Sequence, residues 1–143
     1  MTNSTAQKFG YPRTLVAETD QWLVLLRPQQ PTFGSLVLVC KDEARAFADL
    51  SAAAFADLQV AVAGIERLLS DLVRYDKINY LMLMMVDPDV HFHVIPRYAG
   101  ERGHDGRSFV DAGWPGQPNL RAHVDLGEAA PALAAEFAAR WAA

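Results

Sequence analysis

The apolar residues of this 143-residue chain change their spacing twice, and this change constrains the fold more than any other feature. Short apolar runs at residues 14–17, 22–26 and 35–40, bounded by glycine, proline or polar residues, are typical of strands. Over residues 55–72 the spacing becomes three and four, which predicts one apolar face of an α-helix. The members of that face are Phe55, Leu58, Val62, Ile65, Leu69 and Leu72. Residues 78–86 and 90–96 return to runs that favour strands.

The order of these elements predicts an α+β fold. Neighbouring strands joined by short turns must run antiparallel, so we expect a five-stranded antiparallel sheet covered by one long helix. Ser51 is placed to cap the start of that helix, and Pro131 to begin a C-terminal helix. Residues 99–120 are rich in glycine and proline and predict a long loop. At about 150 residues per domain, residues 1–143 are expected to form a single domain.

Composition and charge exclude several classes of function. The chain carries 13 basic and 17 acidic residues, a net charge of −4, so we expect no broad face for a nucleic-acid polymer. The longest apolar stretch is much shorter than the about 20 residues of a membrane helix, and residues 1–10 contain no apolar signal segment. The single cysteine, Cys40, cannot form an internal disulfide, and its apolar setting predicts a buried side chain. These features predict a cytoplasmic protein without a membrane partner.

Residues 89–98 carry the side chains best suited to chemistry. On a strand alternate side chains share a face, so Asp89, His91 and His93 project to one side and the apolar residues between them to the other. Three interpretations remain open: a polar, exposed strand face, a metal site, or phosphorus chemistry with one imidazole as nucleophile. A metal site would need further ligands, for which His104 and His123 are the remaining histidines. Imidazole suits attack on phosphorus because an ordinary pKa of about 6.5 leaves it largely neutral at pH 7.

Residues 91–97, His-Phe-His-Val-Ile-Pro-Arg, resemble the end of the signature of the histidine triad (HIT) family, in which alternating histidines precede two apolar residues and often Pro-Arg. The order of strands and helix over residues 14–98 also fits that family. The resemblance implies a nucleotide hydrolase or transferase, usually a homodimer, acting on phosphoanhydrides, phosphoramidates or dinucleoside polyphosphates such as diadenosine polyphosphate. It implies that His91 attacks the α-phosphorus to give a nucleotidyl-histidine and that His93 binds the phosphate. It implies no metal and no other cofactor.

The chain departs from the family pattern in ways that predict a divergent branch. Asp89 stands in place of the first histidine of the triad, where it would orient or tune His91. Residues 84–86, Met-Met-Val, replace polar residues that touch phosphate in many members, and Leu25 replaces an acidic ribose contact. These losses leave an alternative open, a catalytically weak or inactive nucleotide-binding protein of the same fold.

Three further polar residues are candidates for substrate binding. Ser35 takes the place of a histidine that commonly precedes the third strand in the family. Asn79 could reach the site or cap the start of its strand. Arg97 could contact phosphate or pair with an acidic neighbour on the surface, because a guanidinium group suits both uses.

Overall fold

The computed structural model describes residues 4–143. Three α-helices occur in that range: α1 (Ser4–Lys8), α2 (Ala52–Leu72) and α3 (Ala130–Ala142). The strands are β1 (Leu15–Glu18), β2 (Trp22–Leu26), β3 (Gln29–Gln30), β4 (Leu36–Cys40), β5 (Lys77–Leu81), β6 (His91–Arg97), β7 (Glu101–His104), β8 (Arg107–Val110) and β9 (Val124–Asp125). None of these helices combines the length and apolar character needed to cross a bilayer. The predicted domain, residues 1–143, includes residues 1–3, which lie outside the described residues, and it stays a prediction.

Five of the strands form one antiparallel sheet in the order β1-β2-β4-β6-β5. This confirms the predicted α+β fold with a five-stranded sheet, a long helix and a C-terminal helix. Strand β6 lies inside the sheet with a partner on each side, so the backbone that carries the histidines is hydrogen-bonded along both edges. Two short ribbons, β3 with β9 and β7 with β8, stand apart from the sheet.

Helix α2 begins where the sequence predicts, and most of the predicted apolar face packs against the core. The Ser51 hydroxyl accepts a hydrogen bond from the Ala54 backbone N–H at 3.0 Å, which caps the helix. Phe55, expected on the buried face, is 43% exposed. Half of the residues buried on α2 are small (Ala54, Ala61 and Gly64) and half are large (Ile65, Leu68 and Leu69). The indole of Trp22 donates a hydrogen bond to the Ala54 carbonyl at 2.9 Å, so small residues face the sheet and allow this close approach.

The two faces of the sheet are covered by different parts of the chain. Helices α2 and α3 pack on one face and enclose the larger apolar core. The other face carries a smaller apolar cluster, formed by Leu23, Leu25, Val37 and Val39 together with Ala6 and Phe9 from the N-terminal segment. Side chains that point away from the large helices are therefore covered mainly by α1 and the residue that follows it.

Two predicted elements differ from the structure. The strand expected over residues 78–86 ends at Leu81, and Met84 has a φ of 52°, a left-handed conformation that cannot continue a strand. The loop expected over residues 99–120 contains the hairpin β7–β8. Its turn, Asp105-Gly106, has φ values of 50° and 77°, as a type I′ turn requires, and Asp-Gly is a strong signal for that turn.

A buried ion pair joins the C-terminal part of the chain to β6. Arg97 Nε donates to Asp111 Oδ2 at 2.6 Å, and Arg97 Nη2 donates to the other carboxylate oxygen at 3.1 Å. The same guanidinium donates to Asn79 Oδ1 at 2.7 Å and to the Gly116 carbonyl at 2.9 Å. Both charged side chains are almost completely buried, so the charge of each is neutralised by the other rather than by solvent.

Removing the negative charge of Asp111 should therefore destabilise the fold. We expect Asp111→Asn to lower the free energy of unfolding by about 3 kcal/mol, because it leaves the buried Arg97 charge without a counterion. Glu18→Gln is the control, since it breaks the more exposed Lys41–Glu18 ion pair and should cost less than about 1 kcal/mol. Urea denaturation measures both; equal losses in the two variants would contradict this role of the pair.

Candidate active site

His91 and His93 lie side by side on one face of β6, as the alternation of the strand requires. His91 is opposite Val39 and His93 is opposite Val37 on the neighbouring strand β4. The two imidazole rings meet edge to face with their centroids 5.1 Å apart. The row of side chains continues across β2 as Leu23 and Leu25, so the pair borders an apolar strip.

The histidine pair is covered rather than open. His91 is 1% exposed and His93 is 6% exposed. The Phe9 ring lies over both imidazoles, with centroid distances of 6.4 Å to His91 and 5.8 Å to His93. The sequence predicted a polar row lining a surface or cleft; the structure buries that row because the N-terminal segment folds over it.

Asp89 contacts His91 through its backbone and the N-terminal segment through its side chain. Its carbonyl oxygen lies 2.6 Å from His91 Nδ1. A carbonyl can only accept, so Nδ1 carries the proton and Nε2 of a neutral ring keeps its lone pair. The Asp89 carboxylate accepts hydrogen bonds from the Thr5 hydroxyl at 2.9 Å and the Thr5 backbone N–H at 3.3 Å. The orienting contact on His91 therefore comes from the backbone of residue 89.

His93 is held as a neutral ring. Burial, together with the influence of Arg27, His91 and Lys8, lowers the pKa of His93 to about 4, while Asp87 opposes them. Its Nδ1 atom is buried and has no hydrogen-bond partner among the described residues. A neutral imidazole carries a single proton, which placed on Nε2 would serve as a donor.

A small cavity adjoins the histidine pair on the side of the chain between β5 and β6. It measures about 90 Å³ and is lined by Leu83, Met84, Met85, Val86, Asp87, His91 and His93. Lys8 Nζ, on α1, donates to Asp87 Oδ1 at 2.8 Å and so ties the N-terminal segment to the wall of this cavity. The lining is apolar except for Asp87 and the two histidines.

The other predicted site residues have different partners. The Ser35 hydroxyl, just before β4, donates to the Thr32 carbonyl at 2.8 Å within a buried turn. Asn79 and Arg97 share the face of the histidines but hydrogen-bond each other. Arg97 also pairs with Asp111. Arg97 lies four residues along β6 from His93, a separation of about 13 Å. The structure thus brings together His91, His93 and Asp89, and substrate binding by the other three stays a prediction from the sequence.

Sequence reasoning missed four residues around the pair: Thr5, Lys8, Phe9 and Arg27. The Arg27 guanidinium lies 6.0 Å from the centre of the Phe9 ring, and its Nε atom is buried without a partner. Burial lowers the pKa of Arg27, and Asp87 raises it. The signal available in the sequence was weak, a single aromatic residue in an otherwise polar stretch at residues 4–10. No group of three or more potential metal ligands occurs within the described part of the chain.

The low pKa of His93 predicts a loss of stability in acid. The unfolded chain binds a proton at an ordinary pKa of about 6.5, whereas the folded chain resists it until about pH 4. The free energy of unfolding should therefore fall between pH 6.5 and pH 4, with His93 contributing on the order of 2 kcal/mol. His93→Gln should flatten this part of the stability curve, and the exposed His123→Gln should leave it unchanged, as measured by urea denaturation at several pH values. Parallel curves for His93→Gln and the original chain would show that His93 is not the responsible group.

Comparisons with known proteins identify the family and the fold. The family model described as the HIT domain matches residues 8–100, and no curated protein matches the chain. A histidine triad protein from Bradyrhizobium japonicum is 20% identical with a TM-score of 0.65, over 99% of this chain and 95% of that one.

Two further solved structures share the fold at lower identity. The diadenosine triphosphate hydrolase of Plasmodium falciparum is 14% identical with a TM-score of 0.64, over 90% of this chain and 76% of that one. The NitFhit protein of C. elegans is 17% identical with a TM-score of 0.67, over 90% of this chain but only 27% of its own. The family model covers well over half of the chain, and the chain therefore belongs to the HIT family.

Proposed function

We propose that this protein is a nucleotide hydrolase or transferase that cleaves phosphoanhydride or phosphoramidate bonds through a nucleotidyl-histidine on His91. Members of the family are generally nucleotide hydrolases or transferases. The observation that carries the proposal is the 2.6 Å contact between His91 Nδ1 and the Asp89 carbonyl, because it leaves Nε2 as the nucleophilic atom.

The reaction has two displacement steps. In the first, the His91 Nε2 lone pair forms a bond to the α-phosphorus, and the bond from phosphorus to the leaving oxygen or nitrogen breaks with its electron pair. In the second, a water oxygen bonds to the phosphorus, the P–N bond breaks, and the imidazole recovers its electron pair while the water gives up a proton. A different acceptor in place of water makes the same protein a transferase.

His93 is assigned to the phosphate in this mechanism. Its low pKa keeps the ring neutral at pH 7, so a proton on Nε2 is available as a hydrogen-bond donor to a phosphoryl oxygen as charge develops there. Arg27 lies near enough to influence the pKa of His93 through its charge, which places a cation beside the anionic substrate. Asp89 holds the place of the first histidine of the triad, and we propose that the chain is a divergent member of the family in this respect.

The substrate class that fits this chemistry is a nucleotide joined to a leaving group through phosphorus. Among the structural relatives, the Plasmodium falciparum protein is named a diadenosine triphosphate hydrolase. We propose dinucleoside polyphosphates and nucleoside phosphoramidates as the first substrates to assay. The mechanism places no step on a metal or other cofactor.

Substitution of the nucleophile tests the proposal. We expect His91→Gln to reduce turnover of diadenosine tetraphosphate and adenosine phosphoramidate by at least about a thousandfold, because no other group can form the intermediate. The exposed His123→Gln serves as the control and should keep full turnover. Intact-mass measurement of the original chain after rapid quenching should show a nucleotidyl adduct that the His91 variant lacks. Similar turnover by both variants would contradict the assignment of His91.

The alternative from the sequence, a weak or inactive nucleotide-binding protein, is favoured by the lining of the cavity. Met84, Met85 and Val86 offer no side-chain hydrogen bond to a phosphate there. Nucleotide binding in calorimetry, with no turnover of either substrate by the original chain, would select this alternative over the enzyme.

We further propose a homodimer acting in the cytoplasm. The buried lone cysteine, Cys40, requires no oxidising compartment. In support of self-association, the exposed rings of Phe47 and Phe55 pack together with their centroids 5.6 Å apart, and the Phe47 ring also contacts the Phe92 ring. That residue lines an apolar cavity of about 140 Å³ with Leu38, Leu58, Val62 and Tyr80.

A charge placed among these aromatic residues should separate the subunits. We expect sedimentation to give a dimer for the original chain and a monomer for Phe55→Glu, since a buried carboxylate without a partner opposes association. Val110→Glu, at another exposed apolar residue, should remain dimeric. A monomeric original chain would contradict the proposal.

A further inference from the structure

We propose that the N-terminal segment, residues 4–9, competes with the substrate for the histidine pair and must leave the sheet before a nucleotide can bind. We call these residues the cover segment. The inference rests on the function proposed above, because it concerns access to the same site.

The space available at the site is too small for a nucleotide. The cavity beside His91 and His93 measures about 90 Å³, whereas pockets for ligands of that size measure about 300 Å³ or more. The rings themselves are 1% and 6% exposed. An in-line approach to His91 Nε2 therefore requires part of the protein to move.

The cover segment is the element whose departure would open the most suitable surface. Ala6 and Phe9 lie on the strip formed by Leu23, Leu25, Val37 and Val39, directly beside the imidazoles. A flat ring system with an attached phosphate needs such an arrangement, an apolar strip that leads to polar groups able to meet an anion. Phe9 occupies that strip in the present structure, with its ring against both histidines.

Hydrogen bonds to Asp89 and an ion pair to Asp87 attach the cover segment to the chain before β6. The Asp89 carboxylate accepts hydrogen bonds from the Thr5 hydroxyl and backbone N–H, and the Asp89 N–H donates to the Thr5 hydroxyl at 3.3 Å. The Lys8–Asp87 ion pair at 2.8 Å is the second attachment. The Asp89 side chain is thus committed to the cover segment, and this gives a physical reason for an aspartate where the family pattern has a histidine.

The segment also has a defined point at which it can turn. Gly10 has a φ of 95°, and a Cβ atom at this position would lie 2.7 Å from Thr14 Cγ2. The Thr14 hydroxyl donates to the Phe9 carbonyl at 2.7 Å, so the chain is anchored from here onward. Residues 4–9 can therefore leave the sheet while β1 stays in place.

The competition makes a quantitative prediction about affinity. When only a fraction of molecules is open, the apparent dissociation constant equals the intrinsic constant divided by that fraction. A change that weakens the closed state, without touching the substrate, must therefore tighten nucleotide binding. If the segment were instead part of the substrate site, the same change would weaken binding.

Thr5→Val tests whether weakening the closed state tightens or weakens nucleotide binding. It removes the hydroxyl that bonds the Asp89 carboxylate and keeps the shape of the side chain. We expect Thr5→Val to bind AMP about tenfold more tightly than the original chain in calorimetry. The double variant Thr5→Val/Lys8→Gln should bind more tightly still, even though it loses a positive charge near an anion. Thr19→Val is the matched control, since it breaks a hydroxyl–carboxylate bond to Asp57 far from the site and should leave the affinity unchanged.

Limited proteolysis adds a second measurement. AMP should increase tryptic cleavage after Lys8 in the original chain, because binding displaces the cover segment, and Thr5→Val should increase it without AMP. AMP binding that is equal or weaker in the Thr5 variants, or protection of Lys8 by AMP, would overturn the cover proposal and leave the proposed function standing. AMP binding by none of the proteins would contradict the proposed function, and the cover proposal with it.

Discussion

Asp89 contacts the site through its backbone and the N-terminal helix through its side chain. Its backbone carbonyl fixes the proton of His91 on Nδ1, and its carboxylate holds the first turn of the chain against the sheet. Both contacts follow from one geometric fact, that residue 89 stands just before a strand with partners on both edges. The His91 ring is therefore oriented by a backbone carbonyl that lies directly before the sheet.

Burial of the pair has an electrostatic consequence for the chemistry. A ring that cannot gain a proton at neutral pH offers a fixed pattern of one donor and one acceptor, and it adds no charge to the site. Positive charge comes instead from Arg27 and Lys8, which stand beside Phe9. The neutral His93 ring and the nearby positive charges therefore lie on separate side chains.

The sheet and the alternation of His91 and His93 could be predicted because they depend on local spacing, which the sequence displays directly. Most of the buried face of α2 could be predicted, but Phe55 is exposed and Ala54, which accepts the Trp22 hydrogen bond, was not expected there. An apolar pattern does not register the need for a small side chain at such a close contact. The end of β5 was missed because a left-handed Met84 is not visible in an uninterrupted apolar run.

In the candidate site, too, the features that depend on local spacing could be predicted and those that depend on distant contacts could not. The face shared by Asp89, His91 and His93 follows from period two alone. The cover could not be predicted, because Thr5 and Asp89 are 84 residues apart and nothing in either neighbourhood indicates the other. Pairing of Arg97 with an acid was one of two predicted uses, but the pair was expected on the surface and the structure buries it. Its partner, Asp111, lies in a segment predicted as a loop.

The position of Asp111 also bears on where the folding unit ends. The family model stops at residue 100, after the last strand of the five-stranded sheet, yet the counterion of a buried guanidinium on that strand comes from residue 111. A chain cut at the family boundary would keep every strand of the sheet and still carry an uncompensated charge in its interior. The C-terminal part is therefore an integral portion of the domain, and any minimal version for engineering or crystallisation must extend at least beyond the loop that supplies this carboxylate.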